Sequence, residues 1–70
     1  DEQWKVIRGQ STLRWSLMGE FDLNKVDKAK DKYDRLVTML QVKYGYTRQQ
    51  ARAEVNRLWV EYEANGKNDL

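Results

Sequence analysis

Asp27, Asp31 and Asp34 recur at spacings of four and three, the interval at which carboxylates meet on one face of a helix. Two such groups could serve as general acid and general base, the pairing that glycoside hydrolysis uses. Each, however, has a cation close by in Lys28, Lys30, Lys32 or Arg35, and a solvated helix face accounts for the pattern more simply. A hard cation such as calcium would need oxygens converging from a loop, which three carboxylates along a helix do not supply. Ser11, Thr12, Ser16, Thr38 and Thr47 offer hydroxyl nucleophiles, but the chain has no histidine to activate them and no motif pairs one with a lysine. Without cysteine or histidine, disulfides and zinc sites built on those residues are excluded. Gly9, Gly19, Gly45 and Gly66 form neither a dinucleotide fingerprint nor a phosphate-cradling loop. The residues therefore predict no catalytic group, no metal ligand and no cofactor, and the chain does not read as an enzyme.

Binding is the chemistry that remains. Thirteen basic residues stand against eleven acidic ones, a net charge of +2, with the signs interleaved. Neutralising a nucleic-acid backbone needs several cations converging on phosphates, which so slight an excess does not provide by itself. A nucleic-acid interface would place Gly45 in the turn of a helix–turn–helix and present Arg48, Gln49, Arg52 and Asn56 from the helix that follows. Glu54, Glu61 and Glu63 on that same helix would repel phosphates. The second candidate is a protein-interaction patch. Trp4, Val6, Leu13, Trp15 and Leu17 cannot all face inward on one straight helix, and exposed apolar side chains often mark partner sites.

The elements that must position these groups are helical. Proline is absent, so no helix is interrupted by a missing donor. Trp4, Ile7, Ser11 and Trp15 share one face of a first helix over about residues 3–16, with Val6, Leu13 and Leu17 on another. Leu17 to Leu23 reads as a connection that tucks Phe21 and Leu23 under the bundle and has room for one short extra turn. Val26, Ala29, Tyr33, Leu36, Val37, Leu40 and Tyr44 then form the stripe of a central helix, capped by Asp22 or Asn24 and compensated by Asp27–Lys30 and Asp31–Arg35 pairs. Gly45 supplies the left-handed residue that ends it. Thr47-Arg48-Gln49-Gln50 is a capping box for the last helix, with Tyr46 and Ala51 placed as a hydrophobic staple. Ala51, Val55, Leu58, Trp59 and Tyr62 form its buried stripe, and Asn65-Gly66 ends it.

The expected fold is thus an all-α bundle of three main helices with room for a short fourth, its second and third helices joined by a tight glycine turn. It occupies residues 1–66 as a single domain, with 67–70 a frayed tail. No stretch approaches the roughly 18 apolar residues that cross a membrane.

The order Leu36-Val37-x-x-Leu40-Gln41-x-Lys43-Tyr44-Gly45-Tyr46-Thr47, followed by Ala51 and Glu54-Val55, resembles the C-terminal half of the CsbD-like family of small bacterial general-stress proteins. Trp4-Lys5-x-x-Arg8-Gly9, with Trp15 six positions on, is similar to that family's W-K-x-x-K-G and second tryptophan. The likeness extends over most of residues 3–59. It departs at Ser16-Leu17-Met18-Gly19-Glu20-Phe21-Asp22, where the family carries glycine and an L-T-x-D-D stretch, and at Thr38, where it carries glycine. The resemblance implies a small cytoplasmic helical protein that accumulates under general or osmotic stress. It defines no catalytic residues. The expected mode of action is protein binding or sheer abundance, by a monomer that does not engage membranes.

Overall fold

In the computed structural model, which describes residues 2–65, every regular element is a helix: α1 (Glu2–Arg14), α2 (Glu20–Asp27), α3 (Lys32–Tyr44) and α4 (Arg48–Ala64). Gly66 and the tail expected over 67–70 lie outside the described residues.

α1 buries Trp4, Ile7 and Ser11, one residue per turn of the face that spacing predicts. The Ser11 hydroxyl donates to the Ile7 carbonyl at 2.6 Å, so a polar group enters the core with its bond satisfied. The helix stops at Arg14 rather than at residue 16, and Trp15 turns into the core just beyond it.

The middle of the chain differs from expectation. Residues 17–23 are not merely a connection, because α2 begins at Glu20 and buries Leu23 and Val26. Asp22 serves this start from the third helical position, where its Oδ2 accepts from the Gly19 amide at 3.1 Å. Phe21, expected under the bundle, is 71% exposed. At about 100° per residue, turning Leu23 inward turns Phe21 almost directly outward.

The central helix is also two helices. α2 closes with the Lys28 and Ala29 amides bonded to the carbonyls of Lys25 and Val26. Asp31 then adopts an extended conformation (φ −114°, ψ 99°), and its side chain accepts from the Asp34 amide at 3.0 Å as the cap of α3. One continuous helix would keep these residues along a single axis. Breaking it lets Leu23 and Val26 enter the same core as Leu36, Val37 and Leu40. The expected Asp27–Lys30 and Asp31–Arg35 pairs do not form, since Asp27 binds α1 and Asp31 caps α3.

The joint after α3 follows its sequence signals. Gly45 sits in the left-handed region at φ 71°, and its amide donates to the Gln41 carbonyl at 2.9 Å. Thr47 Oγ1 accepts from the Gln50 amide at 3.0 Å while Gln50 Oε1 accepts from the Thr47 amide at 2.9 Å. Tyr44 and Tyr46 stack across the glycine with ring centroids 5.6 Å apart. α4 then packs Ala51, Val55 and Leu58 into the core, with Trp59 half-buried against it. α3 packs on α4, α4 on α1, and α2 on α3.

Candidate functional site

Several of the polar residues offered for chemistry, Asp27, Asp34, Thr38 and Arg48 among them, are occupied in holding helices together. Trp4 Nε1 donates to Asp27 Oδ1 at 2.9 Å, and Arg8 Nε donates to Asp27 Oδ2 at 2.8 Å. Arg8 also donates to Asn24 Oδ1 at 2.9 Å and pairs with Glu20 at 3.1 Å. The Trp4 and Arg8 of the W-K-x-x-R-G segment thus form a clamp between α1 and α2. Burial pushes the Asp27 carboxyl up, but the bonds from Trp4 and Arg8 outweigh it and hold the group below its ordinary value. Asp22 is likewise held low, first by the Gly19 amide and then by Lys43, which pairs with it at 3.2 Å. Arg14 fastens α1 to α4 through Glu61 at 2.7 Å, with Glu54 at 3.7 Å.

The nucleic-acid candidates divide. Arg48 is engaged with α3, donating to Asp34, to Thr38 Oγ1 at 3.2 Å and to Gln41 Oε1 at 3.0 Å. A guanidinium so held is not presented to a groove. Gln49, Arg52 and Asn56 are exposed. Arg52 and Asn56 line a cleft of about 330 Å³ between α1, α3 and α4, together with Tyr33, Asp34 and Trp59. The Tyr33 hydroxyl is buried with no hydrogen-bond partner, and burial raises it above its ordinary range. Asp31 and Asp34 share this cleft, so its polar lining carries both signs.

The protein-interaction candidates divide as well. Trp4 and Trp15 are core residues, the first set edge-on to Tyr33 at 6.0 Å, and neither offers a surface. Leu13 and Leu17 are 80% and 55% exposed, and Val6 is half-buried. Leu13 flanks an α1–α4 depression beside Gln10, Arg14 and Tyr62. The helix ending at Arg14 allows this division, because Trp15 and Leu17 need not continue its faces.

Sequence reasoning missed a third surface. The outer side of the α2–α3 hairpin carries two adjoining depressions that share Lys25 and Arg35. One, of about 350 Å³, is floored by Thr38, Met39 and Val42 and bordered by Asp22 and Lys43. The other, of about 450 Å³, is lined by Lys25, Lys28, Ala29, Lys30 and Arg35, with no carboxylate. On one continuous helix the aspartates would neutralise these lysines. The break removes them: Asp27 goes to α1, Asp31 to the cap of α3, and Asp34 to Arg48 of α4. Only that three-dimensional allocation exposes the patch, and the one sequence signal for it was the Asp31-x-x-Asp34 cap.

Among the described residues, no cluster of three or more histidine, cysteine, aspartate or glutamate side chains is placed to hold a metal ion, and no helix is long and apolar enough to cross a membrane. Comparison of the chain with protein families, curated proteins and solved structures finds no match.

Proposed function

We propose that this chain is a non-enzymatic, stress-associated helical protein, a divergent relative of the CsbD-like family, that acts in the cytoplasm by binding other proteins. One observation carries the reading. The carboxylates and guanidiniums that could have formed a reactive cluster are instead paired across helix joints, while apolar and cationic side chains stay exposed on the outside. Such a surface suits association more than chemistry. The clamp made by Trp4, Arg8 and Asp27 also gives the resembling N-terminal segment a structural purpose, as Gly45 and the Thr47–Gln50 box do for the C-terminal one.

A nucleic-acid-binding module remains the second reading, favoured by the exposed Arg52 and Asn56 beside Trp59. It is weakened by Arg48, whose guanidinium is turned to α3.

The test is made in the source cell, by quantifying the protein before and after osmotic shock and by photo-crosslinking from a benzoylphenylalanine at position 13. The expected result is a several-fold rise in abundance with crosslinks to protein. A constant level would remove the stress role, and crosslinks confined to nucleic acid would favour the second reading.

A further inference from the structure

The α2–α3 groove combines two features that point to one class of ligand. Its floor is mainly apolar: Met39 packs partly against the core, Val42 is 80% exposed beside it, and the hydroxyl of Thr38 is taken up by Arg48. Its rim toward the hairpin turn is cationic, with Lys25, Lys28, Lys30 and Arg35, while Lys43 at the other end is paired with Asp22. None of the first four makes an ion pair among the described residues. Lys25 instead lies over the Phe21 ring at 4.5 Å, which extends the groove's edge with an exposed aromatic face. The single carboxylate on the rim, Asp22, is already neutralised by Lys43.

From Arg35 to Val42 the floor follows α3 for about 10 Å, at about 1.5 Å per residue, or two helical turns. That length matches the i, i+4, i+7 anchors an amphipathic helix lays into a groove. A phosphodiester backbone would use the cations and leave the Met39–Val42 floor uncovered. A membrane would press on a convex face and would not fill a depression. An apolar stripe flanked by carboxylates uses both features, and its charge complements the rim.

We infer that the α2–α3 groove binds an acidic amphipathic helix of a partner protein, with Met39 and Val42 receiving its apolar anchors and Lys25, Lys28, Lys30 and Arg35 its flanking carboxylates. The inference rests on the protein-binding part of the proposed function and is independent of the stress association.

The test titrates the full chain into a fluorescein-labelled peptide of about 16 residues, roughly four helical turns, with leucines at i, i+4 and i+7 and glutamates on either side. Fluorescence anisotropy should saturate at low salt and weaken steeply as ionic strength rises toward about 0.5 M. Arg35→Glu, the pair K28E and K30E, and Val42→Asp should each weaken binding about tenfold or more. All change exposed positions, so circular dichroism should report an intact fold. Lys5→Glu, on the exposed side of α1, should leave the affinity unchanged. Three results overturn the inference: no saturation by the peptide, equal loss with Lys5→Glu, or tighter binding through the same residues to duplex DNA or phosphatidylserine vesicles. Crosslinking from position 13 can still capture a protein if this groove fails, so the two proposals fall separately.

Discussion

Gly45 needs its missing side chain for conformation and not for space, since a Cβ there would meet nothing within 4 Å while φ stands at 71°. The cost of substitution should therefore follow tolerance of the left-handed region alone. Gly45→Asn should be the mildest change, Gly45→Ala should cost about 1 kcal/mol, and Gly45→Val more. Urea unfolding midpoints in that order would support the assignment, and equal midpoints would mean the joint is not left-handed. Asp27 gives a residue-scale prediction of another kind. Its folded-state pKa lies below its unfolded value, so its contribution to stability is present above the unfolded pKa, near 4, and is lost as pH falls through the folded value. Asp27→Asn should cost about 1 kcal/mol at neutral pH, a figure kept small because the carboxylate is about one-third exposed and partly screened. The variant and the parent should converge in stability as the solution is acidified. Parallel pH curves for the two would place the acid sensitivity elsewhere.

At the scale of elements, the decisive feature is the break between α2 and α3. The bonds of α2 close with the Lys28 and Ala29 amides, and those of α3 resume with the Arg35 amide on the Asp31 carbonyl. Hydrogen exchange should therefore show fast Lys30 and Asp31 amides against slow ones in Leu36 to Leu40. Uniform protection from Asn24 to Leu40 would restore the single helix. The inward faces were largely legible in the sequence: Trp4, Ile7, Ser11 and Trp15 are buried as their spacing indicates, and so are Leu36, Val37 and Leu40. The break was not, because the turn at Lys28–Asp31 takes up about one helical period, so Val26 and Val37 stay in phase across it. No glycine or proline marks it either. Phe21 was misplaced for the same reason, since its direction is set by where α2 begins. The cationic groove followed from the break and was therefore hidden with it. The Trp4–Asp27 and Arg8–Asp27 bonds were equally unreadable, as they join residues 23 and 19 positions apart.

For the molecule as a whole, a chain of this size holds a limited core, and its total stability should fall near the low end of about 5–15 kcal/mol. Leu40→Ala, which empties a fully buried site between α3 and its neighbours, should remove about 2–5 kcal/mol and leave little margin. Thermal melts that barely move would contradict so small a core. The molecule's outer surface is divided by the same economy of charge: several carboxylates bind the helices to one another, and most of the cations in no ion pair among the described residues lie on the α2–α3 hairpin, with Lys5 on α1 and Arg52 on α4 apart from them. The claim that this face is where the protein meets a partner is tested most directly by amide NMR shifts during titration with the acidic amphipathic peptide. The perturbed amides should cluster at Lys25, Lys28, Arg35, Met39 and Val42, leaving Arg52 and Asn56 unmoved. Perturbations centred on Arg52 and Asn56, or spread evenly over all four helices, would contradict it.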